Sequence, residues 1–136
     1  MKIYVDTEFD GWGGDLISMG MVAENGLEFY AELDVQIKDP WVHEHVVPLL
    51  EGPRLSWGQF QIGMETYIRR CGADITFVAD WPDDIAWVCR ALLTGPGRIM
   101  SSPRRLNFII DRNLPDTSEH SATPHHALCD ARALRP

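Results

Sequence analysis

The chain predicts an α/β fold in which one mixed sheet, opened by an antiparallel N-terminal meander, is flanked by helices. Two observations carry this prediction. Three strand-like runs open the sequence, and from residue 56 onward helical and strand-like periodicities alternate, the order that builds layered α/β domains. The length of 136 residues suits one domain over 1–136, since a chain of that size buries roughly two thirds of its unfolded surface in a single core.

Residues 2–8 carry Ile3 and Val5 in alternation and read as a strand that ends at Asp6-Thr7-Glu8. A glycine-rich turn, Gly11-Trp12-Gly13-Gly14, follows it. Leu16–Ala23 and Leu27–Leu33 read as two further strands, joined through Glu24-Asn25-Gly26, where Asn-Gly is a strong hairpin signal. Beyond Pro40 the pattern predicts a short helix over His43–Leu50 and a longer one over Ser56–Cys71, with Ser56 as its N-cap and Gly72 as its stop. Ile75–Ala79 reads as a strand, and Pro82 opens a helix whose apolar face is Ile85, Val88, Cys89, Leu92 and Leu93. The Gly, Pro and Ser content of Thr94–Arg105 predicts a loop, and Leu106–Ile110 one more strand. Asp111–Ala122 is polar and irregular, and Thr123-Pro124 predicts the start of a last helix running through His125 to Leu134.

Composition narrows the function classes. An apolar fraction of 45% with 24% charged residues is that of a soluble globular protein. No apolar run approaches the roughly 20 residues that span a bilayer, and the N-terminus passes straight into a strand, so the sequence reads as cytoplasmic with no membrane partner. Cys71, Cys89 and Cys129 are widely spaced and odd in number, which supports neither a disulfide framework nor an all-cysteine zinc site. The net charge of −8 argues against a protein that coats nucleic acid by many Lys and Arg contacts. It leaves room for a nuclease whose cations cancel a set of acidic ligands.

Three segments carry that chemistry. In a strand, residues two apart share a face, so Asp6 and Glu8 can share a cation. Without one, two such charges about 4 Å apart repel by about 4 kcal/mol at an effective dielectric near 20. Alone, the pair has a plain explanation as a strand end with a solvated acid. The second segment, Asp80-Trp81-Pro82-Asp83-Asp84, offers three acids, which also suit the first turn of a helix. Asp84 is the preferred ligand because it sits beside the apolar face of Ile85 and Val88; Asp80 is the alternative, and Asp83 is expected to face solvent. In the third segment, His125-His126-Ala127-Leu128-Cys129-Asp130-Ala131, small residues let a helix approach closely and bring Asp130 inward. His126 shares a helical face with Asp130, whereas His125, five positions earlier, lies about 140° around and reaches a common site only from the first turn or the loop before it.

Other clusters carry less. His43-Glu44-His45 is not a helical ligand pair, because residues two apart do not face each other on a helix. His120, His125, His126 and Cys129 lack the paired halves of a zinc site. Trp12 is a candidate platform for stacking an unpaired base, and Arg98, Arg104 and Arg105 are candidate phosphate contacts.

Taken together, the three segments in this order resemble the three motifs of the DEDDh 3′-to-5′ exonucleases, which include ribonuclease T and the proofreading subunit of the replicative polymerase. The first motif is matched by Val5-Asp6-Thr7-Glu8-Phe9 and the third by His125 to Ala131, and the resemblance spans nearly the whole chain. Length and the Asp84-to-Cys89 stretch are most similar to the small stand-alone bacterial and phage exoribonucleases. The order of elements fits a ribonuclease H-like architecture with the acids converging at one edge of the sheet. The resemblance implies Asp6, Glu8, Asp84 and Asp130 as ligands of two Mg2+ or Mn2+ ions, and His125 as general base. It implies hydrolysis of single-stranded or overhanging 3′ ends of RNA to 5′ nucleoside monophosphates, and hints at a homodimer. The second motif departs from the pattern, with Asp80 where Asn is common and Trp81-Pro82 interrupting the stretch, so Asp80 and Asp84 both stay open. Two alternatives remain at this point: a DNA exonuclease using the same site, and a noncatalytic nucleic-acid-binding relative.

Overall fold

The computed structural model describes all residues, 1–136. Strand β1 (Lys2–Phe9) pairs antiparallel with β2 (Leu16–Ala23), which pairs antiparallel with β3 (Glu28–Leu33), giving the expected meander. The turn between β2 and β3 closes at Gly26, whose φ of 91° is one that residues with a side chain rarely adopt. Helix α1 (Pro40–His45) and a 3-10 turn (Val47–Leu49) then lead to the short β4 (Arg54–Leu55) and to α2 (Trp57–Cys71). The chain continues through β5 (Asp74–Ala79), α3 (Pro82–Leu92), the hairpin of β6 (Leu93–Gly95) and β7 (Arg98–Ile99), β8 (Arg105–Ile110), α4 (Thr117–His120) and α5 (Ala127–Leu134). The main sheet runs in the order β4-β3-β2-β1-β5-β8, with β1, β5 and β8 parallel. This is a ribonuclease H-like mixed sheet flanked by helices.

Strand alternation sorts the two faces. Ile3 and Val5, with Met19, Met21, Ile75 and Phe77, point into the larger core, which α2 covers with Phe60, Met64 and Ile68 and α3 covers with Ile85, Val88 and Leu92. Burying each such side chain contributes roughly 1.5–3 kcal/mol, so this face holds most of the apolar stabilisation. Residues of opposite parity, Tyr4 and Val78, meet Leu134 of α5 on the other face. Asp6 and Glu8 share the parity of Tyr4 and therefore belong to the α5 face, while Thr7 belongs to the α3 face.

Several boundaries differ from the sequence expectation. The first short helix begins at Pro40, because the Asp39 carboxylate caps the N–H groups of Trp41 and Val42, and it stops at His45 shortly before Pro48. Cys89 is exposed, and Leu93 has left the helix to start β6; Ala91 takes the inward place on α3. The expected loop over Thr94–Arg105 contains the β6–β7 hairpin, and the irregular stretch after β8 holds α4, capped by Asp116. The last helix starts at Ala127 rather than at Thr123-Pro124. His126 is its N-cap, and His125 has a φ of 71°, which a right-handed helix cannot include.

Candidate active site

The carboxyl ends of β1 and β5, adjacent strands in the middle of the sheet, carry the acids; they do not lie along a lateral edge. A cleft of about 890 Å³ opens there, lined by Asp6, Glu8, Asp80, Asp84, His125 and Asp130 among others. Carboxylate oxygens of Asp6, Glu8 and Asp130 lie within 4.8 Å of one another, and so do those of Asp6, Asp80 and Asp84. Asp6 belongs to both sets, so one strand-end carboxylate joins two three-acid groups.

Each element supplies its acid for a local reason. Asp84 stands in the first turn of α3, where exposed N–H groups favour an acid. It is only 3% exposed, and its Oδ1 accepts the Thr7 N–H at 3.0 Å and the Thr7 hydroxyl at 2.5 Å. Thr7 thereby engages one Asp84 oxygen and leaves the other without a hydrogen-bond donor from the protein. Asp83 is exposed and accepts the Trp81 indole N–H at 2.9 Å, as the expectation of a solvent-facing residue requires. Asp130 arrives on α5, which crosses β1 and β2. That crossing needs Gly20, the residue paired with Asp6 across β1 and β2: a Cβ there would stand 2.4 Å from the Ala127 carbonyl oxygen.

His125 and His126 part company. His125 lines the cleft, its N–H donates to Asp130 Oδ2 at 3.1 Å, and its ring meets the edge of Trp41 at 5.1 Å between centroids. His126 is buried on the opposite side of that step, with Nε2 2.8 Å from Glu51 Oε1 and Nδ1 facing the Cys129 N–H at 3.5 Å. His43 and His45 bond backbone carbonyls on α1 and its approach, away from the acids.

Burial and mutual repulsion disfavour the charged forms of these acids. Burial, reinforced by the charges of Asp84, Glu8, Asp130 and Asp80, holds the Asp6 carboxyl well above the usual carboxylate range. Burial, followed by Asp130 and Asp84, pushes Glu8 up to about 9. Burial pushes Asp84 up to about 7 against the opposing pull of the Thr7 hydrogen bonds, and it raises Asp80 and Asp130 as well. Asp6 Oδ2 and Asp130 Oδ1 are buried without a hydrogen-bond partner. Buried acceptors are normally satisfied, and an all-oxygen, all-anionic donor set suits hard divalent cations. The residues present therefore fit Mg2+ or Mn2+.

A pH prediction arises directly. These acids hold protons in the metal-free fold that the unfolded chain releases, so their contribution to stability is complete below about pH 4. It is lost as pH rises through the folded values, up to about 9 for Glu8. Thermal melts of metal-free protein should fall across that window, and saturating Mn2+ should flatten the decline.

The rim differs from the sequence expectation. Arg105 opens β8 and pairs with Asp74 at 3.9 Å, so Arg104 and Arg105 sit at the opposite end of the sheet from the acids, as does Arg98 beyond the far end of α3. The arginine at the acid end is Arg112, just past β8, whose guanidinium lies 4.8 Å from the Trp81 ring centroid. Sequence reasoning missed it because it follows a strand whose direction only the pairing reveals. Trp12 is fully exposed at the cleft mouth, and Trp41 and Trp81 line the same cleft.

No protein-family profile matches the chain. Two curated proteins do, both named 3′-5′ exoribonuclease, from Mycobacterium tuberculosis strains CDC 1551 and H37Rv. Each is 33% identical over an alignment of 147 residues that covers 97% of this chain and 88% of the relative. The chain is thus a hydrolase of the exonuclease class. It belongs to the family of small stand-alone 3′-5′ exoribonucleases. No helix is long and apolar enough to cross a membrane.

Proposed function

We propose that this protein degrades RNA from single-stranded or overhanging 3′ ends, releasing 5′ nucleoside monophosphates one at a time, by the two-cation chemistry of the DEDDh exonucleases it resembles. The observation that carries the proposal is the pair of three-carboxylate groups sharing Asp6, facing His125 across one cleft. Asp6, Glu8, Asp84 and Asp130 would hold two Mg2+ or Mn2+ ions, with Asp80 beside Asp84 as a further ligand of one of them. When bound, such ions acidify water and offset the charge that develops on the phosphate and on the leaving 3′ oxygen.

The chain's own residues account for the rest. Thr7 fixes the Asp84 carboxylate by two hydrogen bonds, so that its free oxygen needs no reorganisation during the reaction. His125 stands at the cleft with no protein partner on either ring nitrogen and takes the proton of the attacking water. Trp12, wholly exposed beside the acids, stacks on an unpaired base near the 3′ end, a contact worth about 1 to 3 kcal/mol for any base. Arg112 offers a cation at the same rim for a backbone phosphate.

Digestion of 5′-labelled single-stranded RNA and its DNA twin tests the proposal. With Mn2+ or Mg2+ the RNA should give a ladder shortening from its 3′ end, and EDTA should abolish it. Stronger digestion of the DNA would make the protein a DNA exonuclease, equal digestion an exonuclease that does not discriminate the sugar, and no cleavage with either ion would favour a binding protein. His125→Ala should lose about two to four orders of magnitude in rate while Mn2+ affinity stays unchanged.

A further inference from the structure

We infer that Glu51 and His126 are positioning residues that set the catalytic imidazole of His125, through an anchor built on β3. The inference rests on the reading of His125 as the general base. Glu32 is 1% exposed, and its carboxylate accepts three hydrogen bonds: from the Tyr30 hydroxyl, from Glu51 N at 2.8 Å and from Gly52 N at 3.0 Å. A buried carboxylate satisfied this way holds the segment after the 3-10 turn rigidly against the sheet.

That segment delivers the Glu51 side chain to His126, at 2.8 Å from Nε2. Because Nδ1 of His126 accepts from the Cys129 N–H, Nε2 bears the ring N–H and donates a hydrogen bond to Glu51 Oε1. The ring also stacks on Tyr30, with centroids 4.7 Å apart and planes 19° from parallel. Tyr30 and Glu32 stand on the same strand face, two residues apart, so one strand fixes His126 both by stacking and through Glu51. Every ring atom of His126 capable of a directional contact is therefore engaged, and none is left for proton transfer.

The consequence falls on its neighbour. His125 has a left-handed φ of 71°, a conformation that a residue with a side chain rarely adopts and that persists only where its surroundings impose it. One flank of that step is pinned by His126 and the other by the His125 N–H bond to Asp130. The imidazole of His125 packs against Trp41 and has no hydrogen-bond partner on either ring nitrogen, so its direction follows from its backbone, and its backbone is set by the anchor.

The test is a double-mutant cycle on kcat, with KM, Mn2+ affinity and thermal melts read alongside. Glu51 is a surface carboxylate with its side chain 69% exposed, so Glu51→Ala leaves the core intact. It should lower kcat about tenfold with KM for RNA and Mn2+ affinity unchanged, and Glu51→Gln, which keeps the acceptor, should restore most of the rate. In a His125→Ala background Glu51→Ala should have no further effect, as expected of a residue that acts only through His125. His126→Asn, which keeps an N-cap side chain, should match Glu51→Ala. Independently of activity, a slowly exchanging His126 imidazole N–H resonance should be present in the wild type and lost in Glu51→Ala. If His125→Ala loses activity but Glu51→Ala keeps full kcat, or if Glu51→Ala lowers kcat equally in both backgrounds, positioning is overturned and the base survives. Full activity in His125→Ala overturns both.

Discussion

Asp6→Ala is expected to lower cleavage at least a thousandfold and, at neutral pH, to raise the melting temperature of the metal-free protein. The two effects share one cause. Asp6 is the carboxylate common to both acid groups, so its removal leaves each group one acid short and should weaken the proposed binding of both cations. The same carboxyl is buried among Asp84, Glu8, Asp130 and Asp80, all of which disfavour its charge. Removing it relieves repulsion that only cations or protons otherwise relieve. Loss of activity together with gain of stability separates a functional acid from a structural one, because removing a structural acid would lower both. Steady-state kinetics with 5′-labelled RNA and a thermal melt in EDTA read the pair.

Gly20→Ala should be a strongly damaging single methyl, because it strikes the contact that carries α5 onto the sheet. The added Cβ would lie 2.4 Å from Ala127 O, 2.5 Å from Ala127 C and 2.5 Å from Leu128 Cα. These are backbone atoms that cannot rotate aside, so α5 must lift from the sheet. Overpacking of this kind costs about 1–3 kcal/mol, which for a domain of this size is a fall of about 3 to 10 °C in melting temperature. Asp130 rides on the displaced helix and His125 precedes it, so kcat should fall at least tenfold even where the protein stays folded. Gly58→Ala is the matched control, because a Cβ there meets nothing within 4 Å in helix α2; it should leave kcat unchanged and melting equal or slightly higher. A melt and a rate for each variant decide the matter.

Much of this arrangement is legible in the sequence because it depends on local periodicity. The meander, the α2 capping box of Ser56 and Gln59, and the Pro82 start of α3 follow from patterns a few residues long. Asp6 and Glu8 could be placed on one face by strand alternation alone. Small residues at Ala127 and Ala131 signalled a close helix approach, and both are fully buried. The glycine that accepts that approach was not legible, since Gly20 lies in an apolar run that looks like any strand and matters only because Asp6 is its partner. Thr7 escaped for the same reason: its role is a hydrogen bond to a residue 77 positions away.

The two histidines show where helical geometry misleads. A helix extended back to Thr123 would put His126 on the face of Asp130, yet the left-handed step at His125 ends the helix at its N-cap and turns His125 to the cleft. The sequence left both histidines open, with His125 able to reach the acids only from the first turn or the loop before it, and it is in that loop that His125 lies. Likewise Arg98, Arg104 and Arg105 were plausible as a basic loop until the parallel pairing of β5 with β8 put them at the far end of the sheet.

The central claim, that one carboxylate cluster centred on Asp6 binds the cations of an exoribonuclease, is tested most directly by calorimetric titration of Mn2+ into metal-free wild type and Asp6→Ala protein. The account predicts two ions per wild-type chain and loss of tight binding in Asp6→Ala. Equal stoichiometry and affinity in the two proteins, or no binding to the wild type, would contradict it.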